Sequence, residues 1–123
     1  KQGENIEKIT RVFPFWFCQN FLKYVGKENE LPFDQHYVQA LVAPRKLCVV
    51  TAELDYWADT DAQHLAMQLA SEVYEKQGLV GLKNGGLLNL GEFDEGGLLN
   101  FSKRRGTHFF SREDWKFFTR NIK

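Results

Sequence analysis

The run Leu47-Cys48-Val49-Val50 does most to restrict what this chain can become. It is a short, unbroken apolar run rich in β-branched residues, too short for a buried helix and without the alternation of a strand that has one wet face. That pattern predicts a strand covered on both sides, as inside parallel sheets. A helix signal follows. Thr60-Asp61-Ala62-Gln63 reads as a capping box, with Leu65, Leu69 and Val73 on one stripe, Ala62, Ala66 and Ala70 beside it, and Gly78 as the stop. A last strand is predicted near Leu98 to Lys103. Two buried-type strands cannot satisfy their backbone groups without neighbours, so the segment reads as the back half of a larger sheet.

The flanking segments are mainly helical. Asn5 can cap a helix with Ile6, Ile9 and Phe13 in helical spacing and Pro14 as its end. A second helix is predicted from about Phe15 to Val25, stopping at Gly26. Asp34 can cap a third over Gln35 to Val42, terminated by Pro44. Between Gly78 and Phe101, Gly85-Gly86-Leu87-Leu88-Asn89-Leu90 is echoed by Gly96-Gly97-Leu98-Leu99-Asn100-Phe101. Two copies are too few for a solenoid, and a glycine-rich loop or hairpin is expected there. Ser111 caps a final helix with Trp115, Phe118 and Ile122 on one face and Asp114 near the positive end of its dipole.

Composition narrows the function. With 16 Lys and Arg against 16 Asp and Glu, the chain has no long-range basic field to draw in nucleic acid or anionic lipid. No apolar run is long enough to span a membrane. The two cysteines, Cys18 and Cys48, make neither a disulfide framework nor a metal-type spacing. No HExxH, CxxC, P-loop or GxGxxG pattern is present, so neither a metal nor a cofactor is expected.

What remains is an acid after one strand and a histidine after the next. Asp55 follows the first strand and His108 the second, which is the chain order of the last two members of an α/β-hydrolase triad. Both would sit at the carboxyl ends of strands, where ligands gather in open α/β sheets. On pattern alone His108 also fits a hydrogen-bonded loop residue, Asp55 a turn residue, and Asp59 a helix-start residue. His64 shares a polar helix side with Asp61, Gln68 and Ser71 and is expected in solvent; His36 is expected to pack.

The stretch FPFWFCQNFLKYVGKENELPFDQHYVQALVAPRKLCVVTAELDYWAD, followed by G-x-H and an EDW helix, resembles the carboxyl-terminal half of glucuronoyl esterases, a carbohydrate esterase family. The similarity runs through nearly the whole chain. It implies an α/β fold: residues 1–123 as the carboxyl-terminal part of a single α/β-hydrolase domain, its last two sheet strands with flanking helices, incomplete as a sheet on its own. The implied reaction is serine-type hydrolysis of the ester between xylan glucuronate and lignin alcohols, in a secreted or periplasmic protein. By the same resemblance His108 matches the catalytic histidine, Asp55 the acid after the seventh strand, and Trp57 a tryptophan packed on the sugar acid.

The chain departs from the family pattern at the nucleophile. It has no G-x-S-x-G elbow; Ser71, Ser102 and Ser111 fall in a helix, a strand and a helix cap. The nucleophile, the arginine after it and the oxyanion hole are expected before Lys1, in a missing amino-terminal half that would be the chain's partner alongside the glucuronoyl ester. The chain alone is then expected to be inactive. A glutamate after the sixth strand, also upstream, competes with Asp55 for the acid role. Residues 78–101 depart from the family sequence. Two other readings are a non-catalytic, partner-dependent module and an esterase of another α/β-hydrolase branch.

Overall fold

The alternation along one strand organises the architecture. In the computed structural model, which describes residues 3–122, the strand β3 (Leu99–Arg104) lies at the centre of a three-stranded sheet of order β1-β3-β2. Its Leu99 and Phe101 are fully buried in a cluster with Met67, Ala70 and Tyr74 of helix α3 (Thr60–Glu75). The alternate residue Arg104 pairs with Asp114 of helix α4 (Arg112–Asn121). Side chains on a strand point to opposite faces in turn, so β3 is packed between one helix on each side.

Strand β1 (Leu47–Ala52) runs parallel to β3, in register from Leu47 opposite Leu99 to Ala52 opposite Arg104. It is only half-buried from Leu47 to Val50, because among the described residues its other edge carries no strand. The expected burial on both faces is therefore incomplete. The expected pair of strands also gains a third member. The two-residue β2 (Phe93–Asp94) lies antiparallel on the far side of β3 and closes the glycine-rich segment into a hairpin. Asp94 is fully buried and anchors that segment: its carboxylate accepts the amides of Lys83, Asn84 and Gly85 at 2.9–3.2 Å.

Helices α1 (Ile6–Val12) and α2 (Gln35–Ala40) begin at the expected caps. Asn5 accepts from the Lys8 amide and Asp34 from the Gln35 amide. The predicted second helix is replaced by a turn and a short 3-10 helix, Gln19–Tyr24. Phe13 stacks on Trp16 and Phe17 on Phe21, at 4.0 and 4.7 Å between ring centroids. Aromatic side chains lose rotamer freedom in a helix, and here they pair with one another instead.

Helix α3 is rotated from its predicted face. Leu65 and Leu69 are exposed, and the inner side is formed by His64, Met67, Ala70, Ser71 and Tyr74. Two of the polar members have partners far along the chain. Ser71 Oγ accepts the Leu82 amide at 3.0 Å, and Tyr74 donates to the Arg45 carbonyl at 2.9 Å. Its cap is Asp59, in a left-handed conformation (φ 49°), and not Thr60; the Asp59 carboxylate accepts the Ala62 amide. Helix α4 keeps its Ser111 cap but buries Asp114 and Phe117, leaving Trp115 and Ile122 exposed. Phe110 and Trp115 meet edge-on at 4.9 Å across the cap, a hydrophobic staple.

Candidate active site

The β1–β3 ladder continues past the strands and brings two loops together. The Glu53 amide donates to the Arg104 carbonyl and the Leu54 amide to the Gly106 carbonyl, both at 3.0 Å. Asp55 turns back at once, its amide on the Ala52 carbonyl. Beyond Arg104 the chain reverses through Gly106, whose φ of +109° belongs to the left-handed side that glycine adopts without strain.

At the meeting point His108 Nδ1 lies 2.6 Å from Asp55 Oδ2. The carboxylate can only accept, so the neutral imidazole carries its proton on Nδ1 and presents a basic Nε2. The two side chains differ in exposure, 87% for His108 and 13% for Asp55. The acid is sheltered under its loop, and the ring nitrogen that does not meet it is open to an incoming group. Trp57, two residues beyond Asp55 in the same loop, is 54% exposed, with Tyr56 and Leu54 also exposed beside it. The structure thus brings Asp55 and His108 into contact and leaves the Trp57 indole available.

The serines have other work. Ser71 is buried under Leu82, Ser102 is buried in β3, and Ser111 accepts the Asp114 amide at the start of α4. None of them hydrogen-bonds His108. Cys48 is half-buried, and burial pushes its thiol up to about 11, against the pull of Arg120; such a thiol is a poor nucleophile.

His64 corrects an expectation. It is buried against Phe101, ring centroids 4.7 Å apart, and not in solvent. Burial lowers its pKa, outweighing Asp94 and Asp61, and its Nε2 has no hydrogen-bond partner among the described residues. His36 is half-buried and packs on Tyr37, as expected. Among the described residues no group of three or more His, Cys, Asp or Glu could hold a metal, and no helix is long and apolar enough to cross a membrane.

Sequence reasoning missed the ion pair of Arg104 and Asp114, buried directly behind the histidine loop. The signal was present in part, since Asp114 stands at the third position of a capping box whose two bonds both form. Its other partner, on a strand, lies outside what a helix-start motif can show.

Parallel strands joined through a helix, with an acid after the first bonded to a histidine after the second, define an α/β hydrolase. Comparison with known proteins refines the class. Residues 1–78 match the family model described as "Glucuronyl esterase, fungi". The chain belongs to the glucuronoyl esterase family.

A carbohydrate esterase from an unknown prokaryotic organism is 45% identical over 80 residues, covering 65% of this chain and 18% of the relative. The 4-O-methyl-glucuronoyl methylesterase of Podospora anserina is 33% identical over 78 residues, covering 62% and 16%. Among solved structures, a promiscuous CE15 esterase from a marine bacterial metagenome superposes with a TM-score of 0.88 at 35% identity, covering 98% of this chain and 30% of that one. The glucuronoyl esterase of Solibacter usitatus gives 0.88 at 34% identity, covering 99% and 31%. The chain therefore spans less than a third of these relatives. The family model ends at Gly78, where the sequence begins to depart from the family pattern, whereas the structural likeness continues through β3 and α4.

Proposed function

We propose that residues 1–123 are the carboxyl-terminal part of a single α/β-hydrolase domain that hydrolyses glucuronoyl esters of xylan, and that they supply its base and acid. The 2.6 Å contact between His108 and Asp55 is the observation that carries this reading. The open edge of β1 supports completion by a further strand. On this reading His108 Nε2 takes the proton of a serine hydroxyl as the serine attacks the ester carbonyl. Asp55 holds the imidazole in the productive tautomer and stabilises its charged form. His108 then returns the proton to the departing alcohol. The exposed face of Trp57 offers a platform for the sugar acid. The nucleophile and oxyanion donors come from outside this segment, and the protein acts outside the cytosol, where a polymeric xylan ester is found.

The test is a chimera in which this chain replaces the matching segment of a structurally similar glucuronoyl esterase. Hydrolysis of a methyl glucuronate ester is expected to survive the exchange and to fall roughly 10⁴-fold in kcat on His108→Ala or Asp55→Asn. Trp57→Ala is expected to raise KM. The isolated chain is expected to show no turnover. Serine-type hydrolysis by the isolated chain that His108→Ala abolishes would refute the missing nucleophile, and full activity of Asp55→Asn would move the acid elsewhere.

A further inference from the structure

We propose that Arg104, clamped by Asp114, is a positioning residue that sets the orientation of His108; the inference rests on reading His108 as the base. An imidazole that is 87% exposed has almost no packing to hold it, and among the described residues Asp55 is its sole hydrogen-bond partner. Whether Nδ1 meets that carboxylate therefore depends on the backbone of the loop from Arg105 to Phe109. That backbone is held by one side chain. Arg104 Nη1 donates to the Arg105 carbonyl at 2.8 Å, and Nη2 donates to the Thr107 carbonyl at 3.3 Å and to the Phe109 carbonyl. The carbonyls before and after His108 thus share one nitrogen. The guanidinium also lies over the Phe109 ring, 4.6 Å from its centroid.

The fork is itself fixed. Arg104 Nε lies 2.8 Å from both Asp114 oxygens, and Asp114 Oδ2 accepts the Ser111 amide at 2.6 Å. The two side chains are 8% and 2% exposed. One carboxylate therefore joins the end of β3, the histidine loop and the start of α4. Gly106 is the passage that makes this possible: a Cβ there would come within 2.9 Å of Arg104 Nη1. Its carbonyl is held by Leu54, one residue before Asp55, so acid and base loops share a single scaffold. A buried ion pair is a poor way to add stability, because desolvation offsets its attraction. A planar fork that orders several carbonyls at once is something neither lysine nor an apolar residue can supply.

The experiment is long-range 1H–15N correlation NMR on the uniformly labelled chain at a pH where the imidazole is neutral. The carbon-bound ring protons report which nitrogen carries the proton. Wild type is expected to show the Nδ1–H tautomer at His108, and Asp55→Asn is expected to lose it. Arg104→Lys keeps a charge facing Asp114, and the pair Arg104→Met with Asp114→Leu leaves no lone buried charge, so both keep the fold, as amide shifts elsewhere will report. Each is expected to lose most of the Nδ1–H signal with Asp55 intact. If Asp55→Asn loses the signal while both Arg104 variants retain it, the positioning role is overturned and the base reading stands. If wild type lacks it, or Asp55→Asn retains it, the acid–base pairing fails and the positioning role with it.

Discussion

Asp114→Ala isolates the energetic weight of the clamp behind the histidine. The substitution removes the carboxylate that Arg104 Nε meets at 2.8 Å and leaves the guanidinium, 8% exposed, without its counter-charge. Removing one partner of a buried ion pair costs about 3–5 kcal/mol. The Ser111 amide loses its acceptor as well, adding about 1 kcal/mol on the scale of helix caps, while the Ser111 hydroxyl keeps its bond to the amide of residue 114. The sum, ~4–6 kcal/mol, approaches the entire stability of many small domains, ~5–15 kcal/mol. Urea unfolding followed by tryptophan fluorescence is the assay, with midpoints compared at constant m. Asp114→Asn, which keeps an acceptor for Ser111 but no charge, is expected to fall between wild type and alanine. A loss below about 1 kcal/mol for alanine would refute the reasoning, since it would mean that the guanidinium reaches water freely and is not confined.

Three further outcomes are expected elsewhere. Asp94→Ala strands the amides of Lys83, Asn84 and Gly85, at about 1–3 kcal/mol each, and hydrogen exchange should show those amides losing protection before the rest of the sheet. His64 has its pKa lowered by burial, with Asp94 and Asp61 pulling it up and Lys103 pushing it down. As pH falls below the ordinary histidine value, the unfolded chain takes up a proton that the folded chain refuses, so stability declines until the lowered folded pKa is reached; His64→Phe should flatten that slope in unfolding midpoints between neutral and mildly acidic pH. Cys48, with its thiol near 11, should be alkylated far more slowly than exposed Cys18 in the native chain at pH 8, where about one Cys48 in a thousand is thiolate; equal labelling by mass spectrometry would contradict its burial.

Local signals carried into the structure at three helix starts, where the deciding partner is close in sequence. Asn5, Asp34 and Ser111 cap their helices because an N-cap needs only an amide up to three residues on. Strand β1 was legible from its apolar run, β3 was expected near Leu98 to Lys103 after the glycine-rich segment, and the acid-then-histidine order that their loops carry was legible too. The inward face of helix α3 was not, because a hydrophobicity stripe cannot reveal that Ser71 and Tyr74 will find partners at Leu82 and Arg45. Once those bonds are made, the polar side becomes the inner side, and His64 goes in with it. Strand β2 was legible only as the hairpin expected of the glycine-rich segment: two residues have no period, and the fully buried Asp94 is tolerated only because a distant loop turns its amides inward. Arg104 carries no local signal, because its partner Asp114 lies on another element.

Register connects these findings to the chemistry. With Ala52 opposite Arg104, Asp55 stands three residues past the ladder on one strand and His108 four past it on the other, which is the reach that the 2.6 Å contact requires. A slip of one residue in β3 would exchange its faces. Phe101 would leave the cluster with Met67 and Tyr74, and Arg104 would swing from α4 toward α3, abandoning Asp114 and the three carbonyls around His108. The core rejects that slip by lost burial and the clamp rejects it by an unpaired charge. The same alternation that packs Phe101 inward thus aims Arg104 at the histidine loop, so the placement of the base follows from the packing of the strand that carries it.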